Sequence, residues 1–182
     1  MEGGIKAWNG MVATGTFEAG MAFFAPATDI REIVAVAWSM EEGSRRFYQR
    51  AGELLRSDPE TVEIFRQLTE AEDAHKHSLL ASYEHLTGRR ADPTICIQKM
   101  GMAEEGIMEG GIPVKEALVW LQDREITEIL DLAMGLEINA YDLYLKMGRR
   151  MEAEESGRIF AELAREEQHH LERLGQLLDS RL

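Results

Sequence analysis

Apolar residues recur along this chain with a period near 3.6 rather than two, in four long stretches and one short one. Ile30, Ile33, Val34, Ala37, Met40 and Phe47 form a stripe that continues towards Leu55, and Asp29 followed by Glu32 has the spacing of a capping box. The first helix is therefore predicted over 29–57. Ser57-Asp58-Pro59 closes it and opens the next, with Asp58 as N-cap and Pro59 at the first helical position, where a missing N–H costs nothing. The second helix runs from 59 to about 87 and ends at Gly88. Residues 88–123 contain Pro93, Gly101, Gly106, Gly110, Gly111 and Pro113, and only 114–122 has helical character there. Asp123 is placed to cap a third long helix carrying Ile126, Ile129, Leu130, Ala133, Leu136, Ala140, Leu143 and Met147, which ends near Arg149 or Arg150. The last helix spans about 153–179 through Ile159, Phe160, Leu163, His170, Leu174 and Leu178. No stretch alternates as a strand would.

Four long helices joined short, long, short predict an all-α four-helix bundle with one long crossover between the second and third helices and a short helix inside the crossover. At ~1.5 Å per residue each helix is about 40 Å long, a span that 88–123 can traverse, so the second and third helices should run parallel. Residues 1–27 differ in composition, with five of the sixteen glycines beside Trp8, Phe17, Phe23 and Phe24. They read as an arm, leaving 28–182 as the bundle.

The two halves of the bundle repeat each other. Ala37–Tyr48, AWSMEEGSRRFY, matches Ala133–Tyr144, AMGLEINAYDLY, at an offset of 96, and both hold a Glu followed seven residues later by a Tyr. The segment from Leu68, LTEAEDAHKHSLL, matches the one from Leu163, LAREEQHHLERLG, at an offset of 95, which superposes Glu72 and His75 on Glu167 and His170. Each half thus offers one Glu and one Glu-x-x-His, and residues three apart on a helix share a face. Glu41 lies 17 residues before Asp58 and Glu72 lies 14 after it, while Glu137 and Glu167 each lie 15 residues from Glu152. In two antiparallel hairpins all six side chains reach the middle of the bundle.

Burying four carboxylates uncompensated is prohibitive. Two divalent cations supply four positive charges against them, and His75 and His170 complete the donor set. Oxygen-rich ligands with one imidazole per ion suit iron or manganese, with zinc also possible, and point to two-electron oxidation chemistry on a small oxidant. In this reading Glu72 and Glu167 bridge, Glu41 and Glu137 are terminal, and Tyr48 and Tyr144 hydrogen-bond a carboxylate of the opposite pair. Glu42, Glu70 and Glu166 lie within two residues of the proposed ligands and would replace them under a small register error. His77, His85 and His169 have no repeat partner and read as ordinary histidines. The methionines between Met100 and Met108 read as gap-fillers.

Charge agrees with cation binding: the net charge of −13 disfavours nucleic acid and anionic membrane surfaces. No apolar run approaches the ~20 residues needed to cross a bilayer. Cys96 is the only cysteine, which excludes an internal disulfide, a thiolate zinc site or a four-thiolate iron centre. Together with an N-terminus lacking a secretory pattern, it predicts a cytoplasmic protein.

At Glu41, Glu72, His75, Glu137, Glu167 and His170 the sequence resembles the ferritin-like di-iron carboxylate bundles, and within them the rubrerythrin group, over about 28–182. The resemblance implies a non-haem di-iron peroxide reductase. It departs from that group in two ways. The four-cysteine rubredoxin domain is missing, so electrons would come from another protein such as a rubredoxin. Ala140 also stands where the group carries an additional Glu one helical turn after the Glu of the third helix, which leaves ferrous oxidation by oxygen as the other activity. The opening GGIKAWNG resembles the end of a rhodanese domain, without that domain's catalytic cysteine loop. The alternative function is a zinc- or manganese-holding scaffold module without redox turnover, attached to a rhodanese-type partner domain. The apolar arm predicts a homodimer.

Overall fold

A computed structural model of the chain describes residues 20–25, 27, 29–56, 58–90, 92, 106–122, 124–150 and 154–181. Trp8, Phe17, Cys96, Met100, the Asp123 cap and the turn at Glu152 lie outside them. Five helices are present among the described residues: α1 (Ile30–Leu54), α2 (Pro59–Thr87), α3 (Val114–Leu121), α4 (Ile126–Arg150) and α5 (Glu154–Asp179). Short 3-10 turns precede α1 at Met21–Phe24 and α3 at Glu109–Gly111. This is the expected all-α ferritin-like bundle, with α3 as the short helix of the crossover.

Local chemistry sets the helix ends. Asp29 caps α1, its Oδ1 accepting from the Glu32 N–H at 3.0 Å. The helix was expected to reach residue 57 and stops at Leu54. Asp58 precedes a proline, which disfavours helical backbone there, and it adopts φ −120 and ψ 91 instead. The Asp58 N–H closes the turn on the Leu55 carbonyl at 2.9 Å. Its carboxylate binds the Thr61 hydroxyl at 2.6 Å and Arg181 at 2.8 Å, tying this turn to the end of α5. α2 ends at Gly88 with φ +63.

The core falls into two buried clusters. One gathers Phe47, Tyr48 and Ala51 of α1, Phe65 and Leu68 of α2, Ile129 to Leu136 of α4, and Leu174 and Leu177 of α5. The other gathers Val34, Val36, Ala37 and Met40, then Leu79 and Tyr83, then Leu143, Tyr144 and Met147, then Phe160 and Leu163, with Phe24 from the turn before α1. Residue numbers rise from the second cluster to the first along α1 and α5, and from the first to the second along α2 and α4. α2 and α4 are therefore parallel, which requires a crossover the length of the bundle. Between the clusters, on all four long helices, lie the numbers 41, 72–75, 137 and 167–170: a polar layer divides the core.

The crossover passes this layer at a defined place. Ile107 belongs to the second cluster, and Met108, Ile112, Val114, Ala117 and Leu121 to the first. The chain packs on α1 so closely that a Cβ on Gly43 would sit 2.0 Å from the Ile107 carbonyl oxygen. On the α4 side Gly110, at φ +81, leaves no room for a side chain, because a Cβ would lie 2.4 Å from the Asn139 amide nitrogen. Gly43 and Asn139 are 96 apart, so equivalent positions of the two halves clamp the crossover between α1 and α4.

Candidate metal centre

The polar layer contains two groups of potential donors. One donor atom each from Glu41, Glu72 and His75 lies within 4.8 Å of the others, and the same is true of Glu137, Glu167 and His170. All six residues are buried. The helical i, i+3 spacing aims each Glu-x-x-His pair at one point, and α1 and α4 each add one carboxylate from across the hairpin.

His75 Nδ1 lies 3.2 Å from Glu41 Oε2, 3.5 Å from Glu72 Oε2 and 3.2 Å from Glu167 Oε1. His170 Nδ1 lies 2.9 Å from Glu137 Oε2 and 3.1 Å from Glu167 Oε2. Glu167 thus faces both groups, one oxygen to each imidazole. The two rings stack with centroids 5.6 Å apart, so the clusters are adjacent halves of one centre.

Charges without ions are strongly perturbed. Burial, then the charge of Glu72, pushes the Glu41 carboxyl well above its usual range, and burial with Glu167 does the same to Glu137. Against the effect of burial, Glu41 and Glu167 raise the His75 imidazole, and Glu137 and Glu167 raise His170 to about 10. Glu167, though buried, is held below its usual range by the two imidazoles. Glu41 Oε1 and Glu72 Oε2 are buried without a hydrogen-bond partner. Buried, unpartnered carboxylate oxygens beside imidazoles are donors that a bound cation satisfies. The donor set fits two ions with oxygen-rich, single-imidazole coordination.

The neighbouring acids separate from the donors. Glu42 faces outward into an ion network, where Arg45, Lys76 and Arg46 hold its carboxyl down at about 2 despite partial burial. Glu70 pairs with Arg66 on the surface. Glu166 is 56% exposed, but its Oε2 accepts from His75 Nε2 at 2.9 Å, which fixes the ring and leaves Nδ1 turned inward. Of the remaining histidines, His77 bonds the Asp73 carbonyl at 2.6 Å and His169 stands exposed near Glu172. His85 is exposed.

The tyrosines break the repeat. Tyr48 donates to Glu137 Oε1 at 2.5 Å, across to the opposite pair. The Tyr144 hydroxyl is buried without a partner, and its ring stacks on Phe160 at 5.9 Å. The hydrogen bond expected from Tyr144 to a carboxylate is not made.

The family's sequence pattern matches residues 32–105 and 128–181, two stretches that carry all six candidate donors and most of the chain. The chain belongs to the rubrerythrin family. No curated protein and no solved structure matches it. As a rubrerythrin it has two Glu/His clusters consistent with the carboxylate-bridged dinuclear metal site and oxidoreductase chemistry of that family. The match does not extend over the opening residues, and nothing in it concerns a rhodanese. No described helix is long and apolar enough to cross a membrane.

One further buried acid was not anticipated from the sequence. Glu109, in the turn before α3, is 2% exposed, and Ser44 donates its hydroxyl to Glu109 Oε2. Its only mark in the sequence is to be an acid inside a glycine-rich, apolar connection, Ile107-Met108-Glu109-Gly110-Gly111-Ile112.

Proposed function

We propose that the protein is a non-haem di-iron oxidoreductase that reduces hydrogen peroxide, or oxidises ferrous iron with oxygen, at a carboxylate-bridged centre. The reading is carried by Glu167, whose two oxygens face His75 and His170 from the middle of two otherwise separate donor groups. Glu41, Glu72 and His75 would hold one ion and Glu137, Glu167 and His170 the other, with Glu72 and Glu167 as the carboxylates the two ions could share. Two ferrous ions held there would supply the two electrons needed to reduce hydrogen peroxide, with two protons, to two water molecules. Manganese or zinc fits the same donors with different chemistry.

Tyr48 orients Glu137 through its hydrogen bond and stays protonated, because burial and then Glu137's charge push its phenol well above the usual range. Glu166 orients His75 from the surface side. The apolar clusters above and below the layer exclude water from the carboxylates.

Electrons are returned by a donor of the rubredoxin type, the kind of partner that the rubrerythrin family generally uses. Residues 1–27 act as an arm on a bundle of 28–182, in a cytoplasmic protein. Reading GGIKAWNG as the end of a rhodanese domain rests on those residues alone. Phe24 packs into the bundle's own core, so the homodimer rests on the sequence of residues 1–19 alone, and a monomeric sedimentation profile of the intact chain would refute it.

Adding ferrous iron to the metal-free chain under anaerobic conditions, then peroxide or oxygen, tests the activity. The expected result is rapid appearance of ferric absorption and, with reductant present, repeated consumption of the oxidant. Faster reaction with peroxide identifies a peroxide reductase and faster reaction with oxygen a ferroxidase. Tight binding with no oxidation by either rejects the redox reading.

A further inference from the structure

Glu109 is the buried acid that the six-residue donor set leaves without a task. It comes from the crossover, at the height where the chain passes from one core cluster to the other, and therefore at the level of the polar layer. Three features hold it there. Gly43 lets the Ile107 backbone touch α1, Gly110 takes a left-handed conformation against Asn139, and the Met108 N–H closes the loop on the Ile112 carbonyl at 2.8 Å. Ser44 is one helical turn beyond Glu41, so its bond to Glu109 Oε2 brings this carboxylate to the α1 side of the centre.

The other oxygen, Oε1, is buried and has no hydrogen-bond partner. Burial, and next the charge of Glu72, raise this carboxyl well above its usual range, with Glu167 adding to the effect and Ser44 opposing it. Ser44 and the residue's own backbone N–H hydrogen-bond this carboxylate, and Oε1 still has no partner. Glu72, the charged group that acts most strongly on Glu109, also has a buried oxygen without a partner, Oε2. Ala140, the repeat equivalent of Ser44, offers no such anchor in the second half. Glu109 also lies between the two stretches matched by the family pattern, 32–105 and 128–181.

We propose that Glu109 is a fifth carboxylate donor to the dinuclear centre, delivered by the crossover to the ion held by Glu41, Glu72 and His75, with Oε1 as the ligand atom and Ser44 fixing its orientation. The inference rests on the dinuclear reading above. It makes the two ions inequivalent, one with an additional oxygen donor and the other without.

Cobalt(II) is the probe, titrated anaerobically into the metal-free intact chain and into Glu109→Gln and Ser44→Ala, followed by equilibrium dialysis and visible absorption. The wild type should bind two ions per chain. Glu109→Gln should weaken one of the two by on the order of tenfold or more. Its cobalt absorption should intensify, as it does when coordination number falls. Ser44→Ala should shift the same ion less. Melting of the metal-free proteins separates this from a structural role. Removing a buried carboxylate while keeping a partner for Ser44 should leave the melting temperature of Glu109→Gln unchanged or higher. A lower melting temperature with unaltered cobalt affinity and spectrum overturns the proposal, as do unaltered affinity and spectrum alone. If Glu109→Gln does not fold, an unshifted Ser44→Ala titration overturns it. A wild type that binds fewer than two ions strikes instead at the dinuclear reading.

Discussion

At the residue scale, Tyr48 and Tyr144 show how a repeated sequence yields unequal chemistry. Both are fully buried seven residues after a buried Glu, yet only Tyr48 finds a carboxylate. Tyr48→Phe strands Glu137 Oε1, and removing one partner from a buried acceptor costs about 1–3 kcal/mol. Tyr144→Phe removes a hydroxyl that has no partner and keeps the stacking on Phe160, so its effect should be within about 0.5 kcal/mol of neutral or stabilising. Urea denaturation of the metal-free variants measures both, and a larger loss for Tyr144→Phe would contradict this assignment. The six candidate donors were legible because Glu and His recur at matching spacings in both halves. The role of Glu166 was not, since exposure and a contact from another helix carry no sequence period.

At the element scale, the long helices could be read because each buries one face, and a buried face imposes its 3.6-residue period on the sequence. The crossover was harder. Its order comes from close backbone contacts with α1 and α4, and a glycine in such a contact looks in sequence like a glycine in a loose loop. Gly43 and Gly135 make the distinction measurable, since both are helical. Gly43→Ala drives a methyl into the Ile107 backbone and should destabilise by about 1–3 kcal/mol, despite alanine's better helix propensity. Gly135→Ala meets nothing within 4 Å and should stabilise by about 0.5–1 kcal/mol. Thermal melting of the two variants should therefore shift in opposite directions; equal shifts would show that the crossover does not rest on α1. The same masking hid Glu109, whose burial depends on where the crossover lies and not on its own neighbours in sequence.

At the scale of the whole molecule, the metal-free fold carries a cluster that retains protons the unfolded chain would release. Glu41, Glu109, Glu137, His75 and His170 all have raised values when folded, with His170 at about 10 against an ordinary 6.5. Between pH 6.5 and 10 the native state thus binds more protons than the unfolded one, and stability of the metal-free protein falls as pH rises. The lowered carboxyls, Glu42 and Glu167 among them, contribute fully above their ordinary value of 4.5 and add no slope in this window. Bound ions require the same groups deprotonated, so the gain in melting temperature on metal loading should grow with pH, with protons released on binding. A flat pH response of both forms, followed by calorimetry, would contradict the coupled cluster. The proposed function requires four helices to converge six side chains on two ions. The most direct measurement is the ferrous iron bound per chain at anaerobic equilibrium, in the wild type and in a variant with both Glu72→Ala and Glu167→Ala. Two ions are expected in the first and none held tightly in the second; equal iron content in both, or none in the wild type, would contradict a dinuclear centre.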